Sequence, residues 1–253
     1  MDQLRDIHKE ALKKSNIKAK IHNNNLKHLI YNNFIEYGID VKYIDKIIEY
    51  IKKESYVTTM IPIITTKSIE IKNIFEIFIE NPKLKNIFEV VHNSSYLSVR
   101  KEAEDLLFAK VYQNCEPIDR PKYGSINIVK NIGGDINAKG YGDICLHYKN
   151  DIKSRITFTY QDSFTNQTYI CTYKYFEHIL YHLYKDDIKK LIDIIDNKKK
   201  ERLLTYIEAQ IHGDVDISRD IESISIPKRI YDTNKFIIDN FQFHYPHISI
   251  IIY

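Results

Sequence analysis

Apolar residues in the first part of the chain recur at helical spacing, which predicts amphipathic helices. Two such faces precede Gly38, a residue type that suits the position just after a helix end. They consist of Leu4, Ile7, Ala11 and Leu12, and of Leu26, Leu29, Ile30, Phe34 and Ile35. Asp40 is a candidate N-cap for a third helix, whose apolar face is formed by Tyr43, Ile44, Ile47, Ile48 and Ile51.

The pattern then becomes less regular. Residues 58–66, with Pro62 among them, predict an extended connector or an edge strand, because proline cannot donate to a ladder. Residues 68–80 predict a helix that stops before Pro82, and residues 98–112 predict another.

Beyond residue 120, alternation with a period of two predicts β-strands. Strands are expected over residues 123–128, 143–148, 156–160, 206–212 and 223–226, with a terminal strand over 247–253. A long helix is expected over residues 175–204. The layout is therefore α+β, with a helical N-terminal region over residues 1–95 and a second domain over residues 96–253.

Composition narrows the class of protein. The chain has 253 residues, of which 43% are hydrophobic, and a net charge of +3. This is enough for a sizeable core, and the small positive charge does not establish a nucleic-acid partner. We expect no membrane span, since no run of 18 apolar residues occurs.

Cysteine spacing and the polar N-terminus predict a compartment. Cys115, Cys145 and Cys171 show neither metal-ligand spacing nor a disulfide framework. Residues 1–6 lack the apolar stretch of a secretory signal. Both observations predict a cytoplasmic protein, and secretion into a host cell by a signal-less route stays open.

The strand predicted over residues 206–212 carries the most informative side chains. A period of two places Glu208, Gln210 and His212 on one face and apolar residues on the other. A carboxylate, an amide and an imidazole therefore share one polar face. Polar residues such as Lys, Thr and Ser would satisfy the same alternation, so the presence of these three side chains indicates a functional site.

Three further segments accompany this strand. They are Arg120-Pro121-Lys122-Tyr123-Gly124, then Gly140-Tyr141-Gly142-Asp143, then Thr157-Phe158-Thr159-Tyr160-Gln161-Asp162-Ser163. With Glu208-Ala209-Gln210-Ile211-His212-Gly213 near the end, they resemble the motifs of an uncharacterised bacterial family. They also resemble phage and bacterial toxin domains of the ADP-ribosyltransferase superfamily, of the type with an Arg, a Ser or Thr, and a Glu. The resemblance covers roughly residues 98–227.

The resemblance implies a split, mostly antiparallel sheet with NAD in the cleft between its halves. NAD would be the substrate, and no metal is expected. Breaking the bond between nicotinamide and ribose builds positive charge on the ribose, which a fixed carboxylate stabilises. Arg120 would hold the diphosphate through its two-pronged guanidinium. The implied catalytic set is Glu208, Gln210, Thr157 and Thr159, and the implied NAD contacts are Arg120, Tyr123, Gly124, Tyr141, Ser163 and His212.

Several alternatives stay open. Thr157 and Thr159 compete with Ser163 for the role of the second-motif hydroxyl, and each is also an ordinary strand or turn residue. Gln210 follows Glu208 by two residues, whereas many superfamily members carry an acid or Gln two residues before the catalytic Glu. The superfamily context implies a toxin or effector whose acceptor is a macromolecule, with protein favoured and nucleic acid open, and whose N-terminal helices help to recognise the target. An NAD glycohydrolase and an inactive module that binds NAD or ADP-ribose are the rival readings.

Overall fold

The computed structural model describes residues 3–67, 70–198 and 201–253. Its helices are α1 (Asp6–Glu36), α2 (Lys42–Glu54), α3 (Ile74–Glu80), α4 (Ile87–Val90), α5 (Ser94–Leu107), α6 (Lys185–Ile195), α7 (Ile217–Asp220) and α8 (Lys228–His244). Its strands are β1 (Tyr56–Ile61), β2 (Ile64–Lys67), β3 (Glu70–Asn73), β4 (Lys122–Asn127), β5 (Ile144–Tyr148), β6 (Ile156–Tyr160), β7 (Ile170–Thr172), β8 (Ile207–Ile211), β9 (Ile221–Ile226) and β10 (Ser249–Ile252). Short 3₁₀ turns connect several of these elements.

Most predicted elements are present, and the α+β class is confirmed. Apart from Leu4, which precedes the helix, the first two apolar faces belong to one helix of 31 residues, α1. It ends before Gly38, whose φ is 69°. The helix predicted over residues 68–80 is only partly correct, because residues 70–73 form β3 and residues 68–69 lie outside the described residues. The helix predicted over residues 175–204 is also too long. A 3₁₀ turn over Glu177–Tyr181 precedes α6, and residues 199–200 are not described.

Eight strands form one mostly antiparallel sheet. Its order is β10-β9-β5-β1-β4-β8-β6-β7. Among these strands, β9 and β10 pair in parallel and the other neighbouring pairs are antiparallel. The extended connector or edge strand predicted over residues 58–66 is partly correct. Residues 64–66 belong to β2, which pairs with β3 in a separate two-stranded sheet, whereas residues 58–61 belong to β1, which lies between β5 and β4 in the middle of the large sheet. Pro62 follows the last residue of β1, so it ends the strand and leaves the ladder intact.

The described residues before position 95 are part of the main fold. They supply β1 to the sheet, and Phe34 of α1 and Ile47 of α2 belong to the same hydrophobic core as Ile207 and Ile224. The expected boundary at residue 95 therefore does not separate two cores. Within the described residues, no helix is both long and apolar enough to cross a membrane.

The sheet opens locally between β1 and β4. These strands pair from Tyr56↔Asn127 to Thr58↔Ser125, and beyond this point β1 continues along β5 while β4 continues along β8. Gly124 lies at the point of divergence, where a Cβ atom would stand 2.4 Å from Thr58 O. Glycine is needed there because any side chain would collide with the backbone of β1.

Candidate active site

A cavity of about 360 Å³ lies where β1 and β4 diverge, and residues of both strands form one of its walls. This volume is within the range of small-molecule sites. The residues that line it are Met60, Lys85, Asn86, Ile87, Val90, Val91, Tyr96, Arg100, Tyr123, Gly124, Ser125, Ala138, Tyr141, Asp162, Tyr206 and Glu208. Four of the residues predicted from the sequence are among them: Tyr123, Gly124, Tyr141 and Glu208.

Strand β8 presents Glu208 to this cavity. Glu208 pairs with Ser125 of β4 on one side and with Thr159 of β6 on the other, so its backbone is fixed from both directions. The alternation predicted for this strand is confirmed, since Ile207 and Ala209 point into the main core. The polar face is itself buried, because α5 and the turn that follows it cover it, and Phe108 packs against the His212 ring.

Three donors hold one oxygen of the Glu208 carboxylate. Glu208 Oε1 accepts from Ser163 Oγ, from Ser163 N at 3.3 Å and from Gln210 Nε2 at 3.1 Å. Burial raises the pKa of Glu208 to about 7, although Arg100 and these donors favour the ionised form. Ser163 and Gln210 therefore fix the orientation of the carboxylate, which changes its charge near neutral pH.

Arg100 of α5 is the cation that faces Glu208. Its guanidinium lies 4.0 Å from the centre of the Tyr123 ring, and Arg100 Nη2 lies 3.9 Å from Glu208 Oε1. Arg100 Nη1 lies 3.7 Å from Asp162 Oδ1. Both distances exceed hydrogen-bond length. Arg100 Nε is buried without a hydrogen-bond partner among the described residues, and the side chain lines the cavity.

Arg120, the predicted anchor for the diphosphate, is placed elsewhere. It is not among the residues that line the described cavity, and its Nη1 donates to Glu104 Oε2 at 2.5 Å. Arg120 Nη2 donates to Tyr112 O at 2.8 Å, and the guanidinium stacks on Phe88. These contacts use the guanidinium to join α5 to the start of β4. Arg100 therefore lines the cavity, whereas the guanidinium of Arg120 is bound to protein groups outside it.

Sequence reasoning missed Arg100, although a signal for it exists. Arg100 and Glu104 are one helical turn apart, and both are buried on the face of α5 that carries Ala103 and Leu107. Charged residues on the apolar face of a helix are uncommon unless they are paired or functional. Which of the two arginines would pair with Glu104 depends on how α5 packs against β4, and no spacing in the sequence reports this.

Thr157, Gln210 and His212 stand behind Glu208 and do not contribute to the lining of the described cavity. They are fully buried and joined by hydrogen bonds: His212 Nε2 lies 3.0 Å from Thr157 Oγ1, and Thr157 Oγ1 lies 3.0 Å from Gln210 Oε1. Tyr112 OH extends the series, at 2.6 Å from His212 Nδ1. Thr159 also joins Gln210, whose Nε2 donates to Thr159 Oγ1 at 3.2 Å. Their position suits support of Glu208 and not direct contact with a ligand.

Aromatic side chains form much of the remaining cavity wall. Tyr141 stacks on Tyr206 with 6.3 Å between ring centres, and Tyr141 OH donates to Asp162 Oδ2 at 3.3 Å. On another side, Tyr96 stacks on Phe164 with 6.1 Å between ring centres. Planar groups of a ligand could stack on such rings. Within the described residues, no group of three or more His, Cys, Asp or Glu side chains is arranged to hold a metal.

One family model matches the chain. It is described as a protein of unknown function (DUF3626), and the match covers residues 67–192, about half of the chain. That stretch includes Arg100, Arg120, Thr157 and Ser163 and ends before Glu208. No curated protein matches the chain. Over residues 67–192, the chain is therefore similar to a family whose description assigns no activity.

Proposed function

We propose that this chain is an NAD-dependent ADP-ribosyltransferase in which Glu208 is the catalytic carboxylate. The observation that carries the proposal is the position of Glu208, on the wall of a cavity where the sheet opens, with one oxygen held by Ser163 and Gln210. The motifs that resemble the superfamily supply the choice of NAD. The same resemblance favours a macromolecular acceptor, with protein first, and a role as a toxin or effector.

The reaction requires a negative charge beside the ribose. The bond between the ribose C1 atom and the nicotinamide nitrogen breaks, and nicotinamide leaves with the electron pair. The acceptor nucleophile then bonds to C1 and loses its proton. Positive charge on the ribose peaks between these events, so an ionised Glu208 stabilises the transition state more than the ground state. The cationic nicotinamide ring of NAD also favours the ionised carboxylate on binding.

Arg100 is proposed as the anchor for the diphosphate of NAD. It is buried, it stacks on Tyr123, and its Nε has no partner among the described residues. A guanidinium binds phosphate oxygens with two parallel donors, which an ammonium cannot do. Tyr123 and Tyr141 are proposed to contact the planar rings of NAD, and Gly124 forms part of the cavity wall beside them.

Hydrolysis of NAD is the second candidate, and a specific observation favours it. Tyr206 lies two residues before Glu208 and lines the same cavity. At this sequence position, many superfamily members carry an acid or a Gln that accompanies transfer. Gln210 does not replace that residue, because it is fully buried and bonded to Thr157, Thr159 and Glu208. A phenol supplies neither the carboxylate nor the amide that accompanies transfer, so water is the alternative acceptor.

One experiment separates these functions. The protein and its Glu208→Gln variant are incubated with NAD labelled on the adenylate phosphate, with and without a cell lysate. Labelled macromolecules that appear only with the wild-type protein support transfer, and free labelled ADP-ribose without labelled macromolecules supports hydrolysis. If several lysates give neither product, calorimetry with NAD distinguishes a module that only binds NAD from a protein unrelated to it. Equal turnover by both proteins would refute the role of Glu208.

A further inference from the structure

A series of buried side chains connects Tyr112 to Glu208 through hydrogen bonds. Each of these hydrogen bonds uses one hydrogen atom, which belongs to one of its two partners. The links join Tyr112 to His212, His212 to Thr157, Thr157 to Gln210 and Gln210 to Glu208. Each heavy-atom distance along it is 3.1 Å or less. Because these side chains are buried, each donor and acceptor must be satisfied within the protein. The direction of one link therefore constrains the direction of the next.

Thr159 fixes the direction at one end. Its hydroxyl donates to Gln161 O at 3.1 Å, so its oxygen can only accept from Gln210. Gln210 must then present its NH₂ group to Thr159 and Glu208, and its carbonyl oxygen to Thr157. The opposite orientation of the amide would place its oxygen against the Thr159 oxygen.

The orientation of Gln210 determines the direction of the hydrogen bonds at Thr157 and His212. Thr157 has one hydroxyl hydrogen, which goes to Gln210 Oε1, so Thr157 must accept from His212 Nε2. A neutral His212 with its hydrogen on Nε2 has Nδ1 free to accept from Tyr112 OH. His212 is neutral because burial lowers its pKa to about 3, and the cations Arg155 and Lys122 act in the same direction.

We propose that Thr159 and His212 are positioning residues that fix the direction of this series, so that Glu208 Oε1 receives only N–H and O–H donors. Donors to a carboxylate oxygen lower the pKa of the group, so here they oppose the rise in the Glu208 pKa that burial causes. Thr159 acts through the Gln210 amide, and His212 acts through Thr157. The hydrogen-bond direction does not depend on the proposed function, whereas its consequence for catalysis rests on it.

Other charged and titratable groups face Glu208 and remain unchanged in the test. Arg100 of α5 favours the ionised form, and Asp162 of the loop after β6 opposes it. Three phenols also lie close, on β4, on the 3₁₀ turn before β5 and beside β8: Tyr123, Tyr141 and Tyr206.

The first test measures the tautomer of His212 by ¹⁵N NMR of the wild-type protein near pH 7, with His212→Gln used to assign the signal. We expect a neutral ring with its hydrogen on Nε2. A hydrogen on Nδ1, or a charged ring, would overturn the proposal. This measurement needs no NAD, so it can succeed even if the proposed function fails.

The second test compares Thr159→Val with Thr159→Ser and measures the pKa of Glu208 by ¹³C NMR of labelled glutamate. We expect the valine variant to raise that pKa by about 0.7 unit, which corresponds to one lost hydrogen bond, and the serine variant to restore it. Thr172→Val is the matched control, since Thr172 is a buried strand threonine whose hydroxyl bonds Asn16. An unchanged pKa in Thr159→Val, or an equal shift in Thr172→Val, would overturn the proposal. If the valine variant does not fold, the tautomer measurement decides.

Discussion

Replacing Glu208 by Gln should make the protein more stable at alkaline pH while it removes activity. The pKa of Glu208 lies near 7 in the fold against an ordinary value of 4.5. An acid whose pKa is raised on folding contributes stability that is present below the unfolded pKa and lost as the pH rises through the folded pKa. The free energy of unfolding of the wild-type protein therefore falls by about 3 kcal/mol between pH 4.5 and pH 8.5 because of this one group. Glutamine has the same shape and no proton to lose.

Urea unfolding of both proteins at these two pH values measures the effect. We expect the free energy of unfolding of Glu208→Gln, relative to wild type, to rise by about 3 kcal/mol from pH 4.5 to pH 8.5. Asp187→Asn is the control: this buried carboxylate accepts from Leu204 N, Thr205 N and Thr205 Oγ1 outside the cavity, so its loss should destabilise the protein at pH 8.5 by about 2 kcal/mol.

The activity of Glu208→Gln completes the prediction. If Glu208 stabilises the transition state, NAD turnover should fall by a factor of about 10² to 10³, the usual loss for one fixed electrostatic group. Wild-type turnover should rise with pH through about 7, as Glu208 ionises. A stability difference that is independent of pH would refute the reasoning about burial. A loss of stability at pH 8.5 as large as that of Asp187→Asn would indicate a structural role for Glu208.

Four further predictions follow from the fold and the cavity. Arg100→Lys should weaken NAD binding about tenfold in calorimetry, because the two-pronged donor is lost, and unchanged affinity would contradict the proposed anchor. Gly124→Ala should lower the free energy of unfolding by about 2 kcal/mol in urea titrations, because its Cβ would lie 2.4 Å from Thr58 O, and a neutral effect would show that β1 and β4 can separate freely. A fragment of residues 96–253 should lack a cooperative thermal transition in circular dichroism, since it would lose the central strand β1; cooperative unfolding would restore the boundary expected from the sequence. Iodoacetamide should label Cys115 in the native protein and the two buried cysteines only after unfolding, as read by mass spectrometry.

The two arginines show where sequence reasoning reached its limit. Arg120 has the neighbours that resemble the superfamily motif, yet its guanidinium pairs with Glu104 and Tyr112 O. Arg100 has no motif around it, yet it faces Glu208. A motif reports what is adjacent along the chain, whereas a buried charge takes the partner that packing brings within reach.

The sequence by itself determined the elements with strong periodicity and the residue most suited to chemistry. Strands β4, β5, β6, β8 and β9 were predicted because their alternation is local, and Glu208, Gln210 and His212 were placed on one face of β8 for the same reason. Only the tertiary structure decided that β1 is central, that the sheet opens beside Gly124 and that Arg100 faces the carboxylate. These features depend on pairing between segments far apart in the chain, and hydrophobic periodicity carries no information about which segment pairs with which.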